Sequence, residues 1–315
     1  MRVNVVGAGL AGLTAARTLV AAGHEVTVFD KGRSPGGRMA TRRIGAATFD
    51  HGAQFFTARS EAMVAMTAGW IADGIVTEWC RGFGPSPDGY PRYAVPGGMS
   101  SLAKHLAVGL DVRCPTMVFG FRHDGHGWAV QLDDASLHRC DAIVVTCPLP
   151  QSYSLLVSAE VTMPETLFRT DYDRTIALLA VLDGPSAVAA PGGVQGAPGF
   201  TFIADNQRKG ISAVPALTMH TDPAWSKAHW DDDRSATHDA LIALAAPWLG
   251  AANIIDSQVK RWRFATPRAI WPEPCWRPDN GAPFVLAGDA FAGPRVEGAI
   301  LSGAAAARSL MDDGW

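Results

Sequence analysis

Residues Gly7-Ala8-Gly9-Leu10-Ala11-Gly12 constrain this chain more than any other feature, because of what stands on either side of them. Before them, Arg2 to Val6 is apolar and β-branched, as a strand buried on both faces should be. After them, Leu10 to Ala22 has helix composition, and Gly23 stands where a helix-ending glycine belongs. Glu25 to Phe29 reads as a second buried strand, which completes a β-α-β unit. In such a unit Gly7 permits the tight turn, Gly9 leaves no side chain between backbone and pyrophosphate, and Gly12 lets the helix pack close to the strand. The helix N-terminus turns free N–H groups and the positive end of its dipole toward the phosphates. Asp30 ends the second strand, where a carboxylate can accept from ribose hydroxyls and disfavours a 2′-phosphate. A merely tight turn in a chain with 33 Gly would not require strand, helix, second strand and terminal acid to agree. A dinucleotide site is expected.

The rest of the composition excludes more than it assigns. With 315 residues, 48% hydrophobic and 18% charged, the chain has the apolar content for one large α/β domain or two coupled domains. A net charge of −3 gives no global field toward nucleic acid or acidic membranes. The five cysteines, Cys80, Cys114, Cys140, Cys147 and Cys275, are widely spaced without a C-x-x-C, so reduced buried thiols are expected rather than a disulfide framework or zinc site. No metal site is expected. The N-terminus lacks the pattern of a secretory signal. The longest uncharged run, 185–204, is rich in Gly and Pro and reads as loop rather than membrane span. No membrane partner is expected, and a cytoplasmic location is the default.

Further along, Lys31 to Arg43 reads as a basic loop, Ser60 to Trp70 as a helix, Ile75 to Trp79 as a strand and Arg81 to Pro91 as a loop. Ser100 suits the N-cap of a helix running to Ala107. Four strand-like runs, 111–114, 116–122, 128–132 and 141–146, read as a meander inserted between halves of a parallel sheet. Thr175–Leu182, Phe200–Ala204 and Ser212–His220 read as longer strands around a loop at 185–199, with helices near 223–230 and 235–248. Phe284–Ala287 returns as a buried strand, and Glu297–Met311 as an Ala-rich helix. The fold class expected is α/β with an α+β second domain. A Rossmann-like domain would comprise 1–57, 96–150 and 258–315, and a mainly antiparallel substrate domain 58–95 and 151–257.

Three segments favour FAD over NAD. Ser34-Pro35-Gly36-Gly37-Arg38 offers glycines for close backbone approach and an Arg able to grip a pyrophosphate bidentately. Asp50-His51-Gly52-Ala53-Gln54-Phe55-Phe56 is a small-residue stretch flanked by aromatics, suited to lie along an isoalloxazine edge. Gly288-Asp289 ends a strand and can place a carboxylate on the ribityl chain. The helix after Gly293-Pro294-Arg295 can aim its N-terminus at the flavin edge where negative charge gathers on reduction.

Together these segments resemble the amine-oxidase-like flavoprotein superfamily, and within it the renalase-like branch with its bacterial members. The residues that carry the resemblance are Gly7–Gly12, residues 29–33 and 35–42, Asp50–Thr57, Pro96–Met99, Arg261–Ala265, Gly288-Asp289 and Pro294–Ala299. The stretch from about 150 to 255 carries little of it. The resemblance implies a bound FAD, with Ala11 near the phosphates, Asp30 and Lys31 at the ribose and Arg38 at the pyrophosphate. It further implies Ala53, Gln54 and Phe55 along the flavin, Val118 at the adenine, and Asp289, Gly298 and Ile300 closing the site. Residues 289–294 lack the cysteine that links flavin covalently in some amine oxidases, so FAD is expected to be non-covalent.

The reaction implied is oxidation of 2- or 6-dihydro isomers of NAD(P)H to NAD(P)+, by hydride transfer to flavin N5, with O2 giving H2O2. Such a substrate needs no enzymatic base, because hydride loss itself yields the aromatic pyridinium. This suits a sequence without a clear catalytic dyad. No catalytic residue is legible; Gln54, His229 and Trp230 are the candidates to line the flavin, with His229 and Trp230 also candidates for the substrate cavity, although a Trp on an amphipathic helix is as commonly core. His51 reads better as a structural residue than as a proton shuttle. Asp231-Asp232-Asp233 reads as an exposed helix start. Trp262 and Trp271 are further candidates for a cavity wall. Three other readings stay open: a flavin amine oxidase or desaturase, a non-catalytic FAD-binding redox sensor, and an NAD-dependent dehydrogenase. The oligomeric state is not legible.

Overall fold

The computed structural model describes residues 1–84, 86–159, 161–278, 283–291 and 293–312. Pro85, in the expected loop 81–91, and Ala292, in segment 289–294, lie outside the described residues. In chain order the elements begin with β1 (Arg2–Val6), α1 (Leu10–Ala21), β2 (Glu25–Phe29), β3 (Thr41–Ile44), β4 (Ala47–Asp50), α2 (Glu61–Ala72), β5 (Thr77–Cys80) and β6 (Arg92–Ala94). Next come α3 (Ser100–Ala107), β7 (Asp111–Arg113), β8 (Val118–His123), β9 (Trp128–Leu132), β10 (Leu137–Cys140), β11 (Ala142–Val145), α4 (Leu149–Val157) and α5 (Glu165–Phe168). The last are β12 (Tyr172–Leu182), β13 (Gly193–Ala197), β14 (Phe200–Asp205), β15 (Ala216–Thr221), α6 (Pro223–Ala228), α7 (Arg234–Ala245), β16 (Ile254–Pro267), β17 (Phe284–Leu286) and α8 (Val296–Met311). They fall into two compact units, one of residues 1–37, 103–172 and 267 onward, the other of residues 38–102 and 173–266.

The first unit is built on a parallel sheet of order β17-β11-β1-β2-β7. β1 pairs in parallel with both β2 and β11, and Val3 to Val6 are all buried, which is why the run is apolar without alternation. α1 ends in a Schellman turn. Gly23 sits at φ +85° and donates to Val20 O, and His24 donates to Leu19 O. β8, β9 and β10 form a separate antiparallel sheet. The expected meander over 111–146 is therefore corrected at both ends, since β7 and β11 join the parallel sheet. β11 is buried at every residue, the mark of a strand covered on both faces, whereas β7 has only three residues in which to show any pattern. α4 and α5 carry no strong sequence signal and were not expected.

The second unit is a five-stranded sheet of order β13-β14-β15-β12-β16, with hairpins β3-β4 and β5-β6. Ile176, Leu178, Phe200, Ile203, Leu217 and Met219 form its core with Leu241 and Ala245 of α7. Three local expectations change. Part of the basic loop is the strand β3, whose Arg42 and Arg43 are exposed opposite Phe49 and Thr48. Part of the Gly-rich loop 185–199 is β13, an edge strand whose glycines hide its pairing. Residues 254–267 form one long edge strand whose mixed burial conceals it. Side-chain caps are as a sequence reader would hope. Ser60, Asp222 and Asp233 each accept from a first-turn N–H, which explains the Asp231–Asp233 run. The five cysteines are free, but only Cys140 is fully buried. No helix among the described residues is long and apolar enough to cross a membrane.

α8 lies on α1 at backbone contact. A Cβ built on Gly303 would stand 2.0 Å from Ala11 O. A Gly303→Val substitution should therefore force the helices apart and destabilise the fold by about 2 kcal/mol or more. Urea unfolding monitored by tryptophan fluorescence checks this, and an unchanged midpoint would contradict the packing described.

Candidate cofactor site

In the first unit each glycine of the fingerprint has its own physical reason. Gly7 sits at φ +107°, donates to Phe29 O at 2.8 Å, and has Thr146 Oγ1 where a Cβ would point. A Cβ on Gly12 would lie 1.9 Å from Gly7 O. A Cβ on Gly9 would meet nothing within 4 Å. Gly9 is also the N-cap of α1, with no side-chain cap and no acid in the first turn. The first intrahelical bond is Leu13 N–H to Gly9 O, so the preceding N–H groups are available to a ligand. An open, uncapped helix end with a bare approach is what a pyrophosphate requires.

The Gly36-Gly37 pair folds onto this turn. Gly36 donates to Ala8 O at 2.9 Å, and a Cβ on Gly37 would be 3.5 Å from Gly9 Cα. The Asp30 carboxylate accepts from Ala8 N–H through one oxygen and from Gly32 N–H through the other, both at 2.6 Å. It thereby ties the end of β2 to the fingerprint, and each oxygen keeps a lone pair for a ribose hydroxyl. Thr116 donates to Asp30 O, which brings the approach to Val118 beside the same carboxylate-bearing residue. Val118 is buried and Lys31 is exposed. At the far end of the chain, Gly288 N–H donates to Ser302 Oγ of α8 at 2.8 Å. Gly298 packs on Gly293 O, Ile300 is buried, and Asp289 is half-buried. The residues present fit the adenosine-diphosphate part of a dinucleotide.

In the second unit, the segment 50–55 is held at nearly every residue. The Asp50 carboxylate is fully buried. It accepts from Thr41 Oγ1 at 2.6 Å, Met99 N–H at 2.7 Å and Lys209 Nζ at 2.6 Å. His51 N–H donates to Ala40 O, and Ala53 N–H to Arg38 O. Gly52 is pressed to 1.9 Å between its would-be Cβ and Arg38 O. Gln54 Nε2 donates to Asp50 O and Gly52 O, which fixes the orientation of its amide. Phe55 packs among Trp79, Phe83 and Phe202, with the Arg92 guanidinium 5.6 Å from its centroid. Arg38 donates to the carbonyls of Phe264 and Ala265.

His51 is held through its backbone. Its carbonyl accepts from Trp262 Nε1 at 2.7 Å and from His220 Nε2 at 3.1 Å, and its ring stacks on Trp262. Burial pulls both imidazoles down to about 4, helped at His51 by Lys260, His220 and Arg42, and at His220 by Lys209 against the bond to His51 O. Trp262 thus anchors backbone. The other candidates also have neighbours of their own. His229 caps α6, stacks on Trp225 and pairs with Asp232, while Trp230 packs on the sheet core beneath Arg174. Lys209 and His220 escaped sequence reasoning because their partners are remote in sequence and no local motif marks them, whereas Met99 stood in the Pro96–Met99 segment and only its bond to Asp50 was illegible. Trp271 N–H donates to Ala290 O, beside Asp289. No group of metal-ligating side chains occurs among the described residues.

The sequence matches the NAD(P)-binding Rossmann-like domain over residues 5–68. It matches the family described as flavin containing amine oxidoreductase over residues 60–311. The chain belongs to that family. Its cofactor is FAD. Hydroxyneurosporene desaturase of Rubrivivax gelatinosus is 50% identical over 58 residues, 18% of this chain and 11% of the desaturase. A 4,4'-diapophytoene desaturase of Staphylococcus haemolyticus is 50% identical over 52 residues, 16% of this chain and 10% of that protein. The chain thus matches only about a tenth of the length of these relatives. Among solved structures, putrescine oxidase bound to putrescine aligns over 99% of both chains, with a TM-score of 0.76 and 14% identity. Cyclohexylamine oxidase from Brevibacterium oxydans IH-35A aligns over 99% of both chains, with a TM-score of 0.75 and 13% identity. At these identities the likeness is one of fold.

Two outcomes are expected. Gly9→Ala should leave the stability of the apoprotein within about 1 kcal/mol yet weaken FAD, whereas Gly12→Ala should lower both. Urea unfolding and titration of flavin fluorescence separate them. Because the two histidines are held near 4 in the fold and near 6.5 when unfolded, the unfolded chain takes up protons first as pH falls. Stability should hold above about pH 6.5 and decline between 6.5 and 4, by up to about 3 kcal/mol for each. His220→Gln should flatten this decline in unfolding curves taken at pH 7 and pH 5.

Proposed function

We propose that the protein is an FAD-dependent oxidoreductase that converts the 2- or 6-dihydro isomers of NAD(P)H to NAD(P)+, with O2 and a proton consumed and H2O2 released. When bound, FAD supplies the two-electron acceptor. The single observation behind the flavoenzyme reading is the open Gly9 turn, uncapped and beside the Asp30 carboxylate. Arg38, Ala53, Gln54 and Phe55 are proposed to meet the cofactor, on the resemblance of their motifs.

The substrate class rests on that resemblance and is supported by acid–base chemistry. In segment 50–55 the Asp50 carboxylate is committed to three donors, and His51 and its neighbour His220 are held neutral with little basicity. A substrate that becomes aromatic on losing hydride asks for no base, so such surroundings suffice.

A second reading, oxidation of an amine or desaturation, is favoured by the putrescine and cyclohexylamine oxidases of like fold and by the desaturase stretches. The tyrosines weigh against it for amines. Tyr153 donates to Leu167 O and stacks on Phe168, Tyr172 accepts from Leu149 N–H, Tyr93 packs on Phe56, and Tyr90 lies under Arg59.

The purified protein should be yellow, with the visible bands of oxidised flavin. Anaerobic mixing with 6-dihydroNAD should bleach those bands within the mixing time, and air should restore them with H2O2. Failure to bleach removes the substrate assignment. Bleaching by simple amines or by a polyene would instead establish the second reading, and a reduced flavin that persists in air would indicate a sensor.

A further inference from the structure

Lys209 is completely buried, follows β14 in the turn after Asp205, and belongs to no motif. It nevertheless reaches both ends of the segment Asp50–Phe55. At one end its ammonium meets Asp50 Oδ2 at 2.6 Å. At the other it stands 5.4 Å from the centroid of Trp79, whose ring packs edge-on against Phe55 at 6.3 Å. Phe83 and Phe202 close the same aromatic group around Phe55.

The donor pattern around Asp50 suits a charged pair. Ser100 N–H donates to Thr41 Oγ1 at 3.0 Å, so the Thr41 hydroxyl hydrogen is free to go to Asp50 Oδ1. Met99 N–H goes to the same oxygen, and Lys209 to the other. Donors converge on both oxygens and no acceptor stands opposite, which suits a carboxylate and its ammonium partner. An ion pair wholly out of water is costly to form and contributes little net stability, so its retention calls for a purpose. What it holds is the stretch between its two contacts, already pinned through Ala40, Arg38, Trp262 and His220.

We propose that Lys209 is a positioning residue for the flavin: its ion pair with Asp50 and its contact with Trp79 fix the backbone in which Ala53, Gln54 and Phe55 meet the isoalloxazine. The inference rests on the flavin contacts proposed above for those three residues. It concerns how the ring is held, and it does not depend on which substrate is oxidised.

The test titrates apoprotein separately with FAD and with ADP, and records the visible bands of the bound flavin. Lys209→Met should weaken FAD by roughly tenfold or more and shift the bands, while the affinity for ADP alone stays as in the wild type. Unchanged FAD affinity and bands would overturn the proposal. So would an equal loss of FAD and ADP, which marks general destabilisation. The double variant Lys209→Met with Asp50→Asn leaves no unpaired buried charge, and the amide oxygen that replaces the carboxylate can still accept from Thr41 and Met99. It should regain thermal stability but keep the shifted bands. Bands that return to wild type in the double variant would show that the pair acts through stability alone, and if Lys209→Met does not fold, the double variant decides by itself. Phe55→Leu separates the two layers, since no change in its bands or FAD affinity would remove the underlying flavin-contact reading. Failure of 6-dihydroNAD to reduce the wild type would remove the substrate and leave the Lys209 test standing.

Discussion

The structure of the first unit depends on three backbone approaches too close for any side chain. Gly12 meets Gly7 O, Gly303 meets Ala11 O, and Gly298 meets Gly293 O, each within 2.2 Å of where a Cβ would stand. The first presses α1 onto the turn after β1. The second presses α8 onto α1. The third shapes the entry into α8. Ser302, one residue before Gly303, then reaches Gly288 N–H at the end of β17, so the C-terminal helix fixes the loop that bears Asp289. Close packing of this kind is stiff, because neither partner is a side chain that can change rotamer. The open space at Gly9 is therefore a consequence of the same packing. The turn cannot relax into it, and the free N–H groups of α1 stay aimed outward.

What could be read from the sequence follows from the range of the forces involved. β1, α1, β2 and the Gly23 ending are set by local composition and by steric demands on single glycines, so their bounds are nearly those found. α8 was legible for the same reason. β13 and β16 were not, because an edge strand with exposed residues keeps neither the apolar run of a buried strand nor strict alternation. β3 was hidden by its charge: Arg42 and Arg43 point to solvent from a hairpin whose buried side is carried by Phe49 on β4. The carboxylate of Asp30 could be assigned to ribose from its place in the strand, but its bonds to Ala8 and Gly32 N–H could not, since they depend on how the two turns meet. Likewise His51 and Trp262 stood in recognisable motifs, and only the fold shows that one carbonyl joins them.

Segment 50–55 shows how polarity can be used to make a stretch of chain rigid. Its backbone leaves the sheet at β4 and would ordinarily be a mobile loop. Instead Asp50, His51 and Gln54 spend their polar groups inward, on Thr41, Met99, Lys209, His220, Trp262 and the segment's own carbonyls. On general grounds well-packed apolar side chains at Asp50 and Lys209 would be as stable or more stable, by up to about 4 kcal/mol, whereas removal of one partner costs about 3 to 5 kcal/mol. A pair with that profile gives direction rather than stability. It admits one arrangement of its neighbours and penalises all others.

The two histidines complete the same logic from the opposite side. Burial, helped by Lys260 and Arg42 at His51 and by Lys209 at His220, keeps both rings neutral at ordinary pH. A neutral ring can offer one N–H to a carbonyl and lie flat on an indole without bringing a counterion in with it. His220 does the first and His51 the second. The segment is thus fixed by one paired charge at Asp50 and by uncharged donors everywhere else.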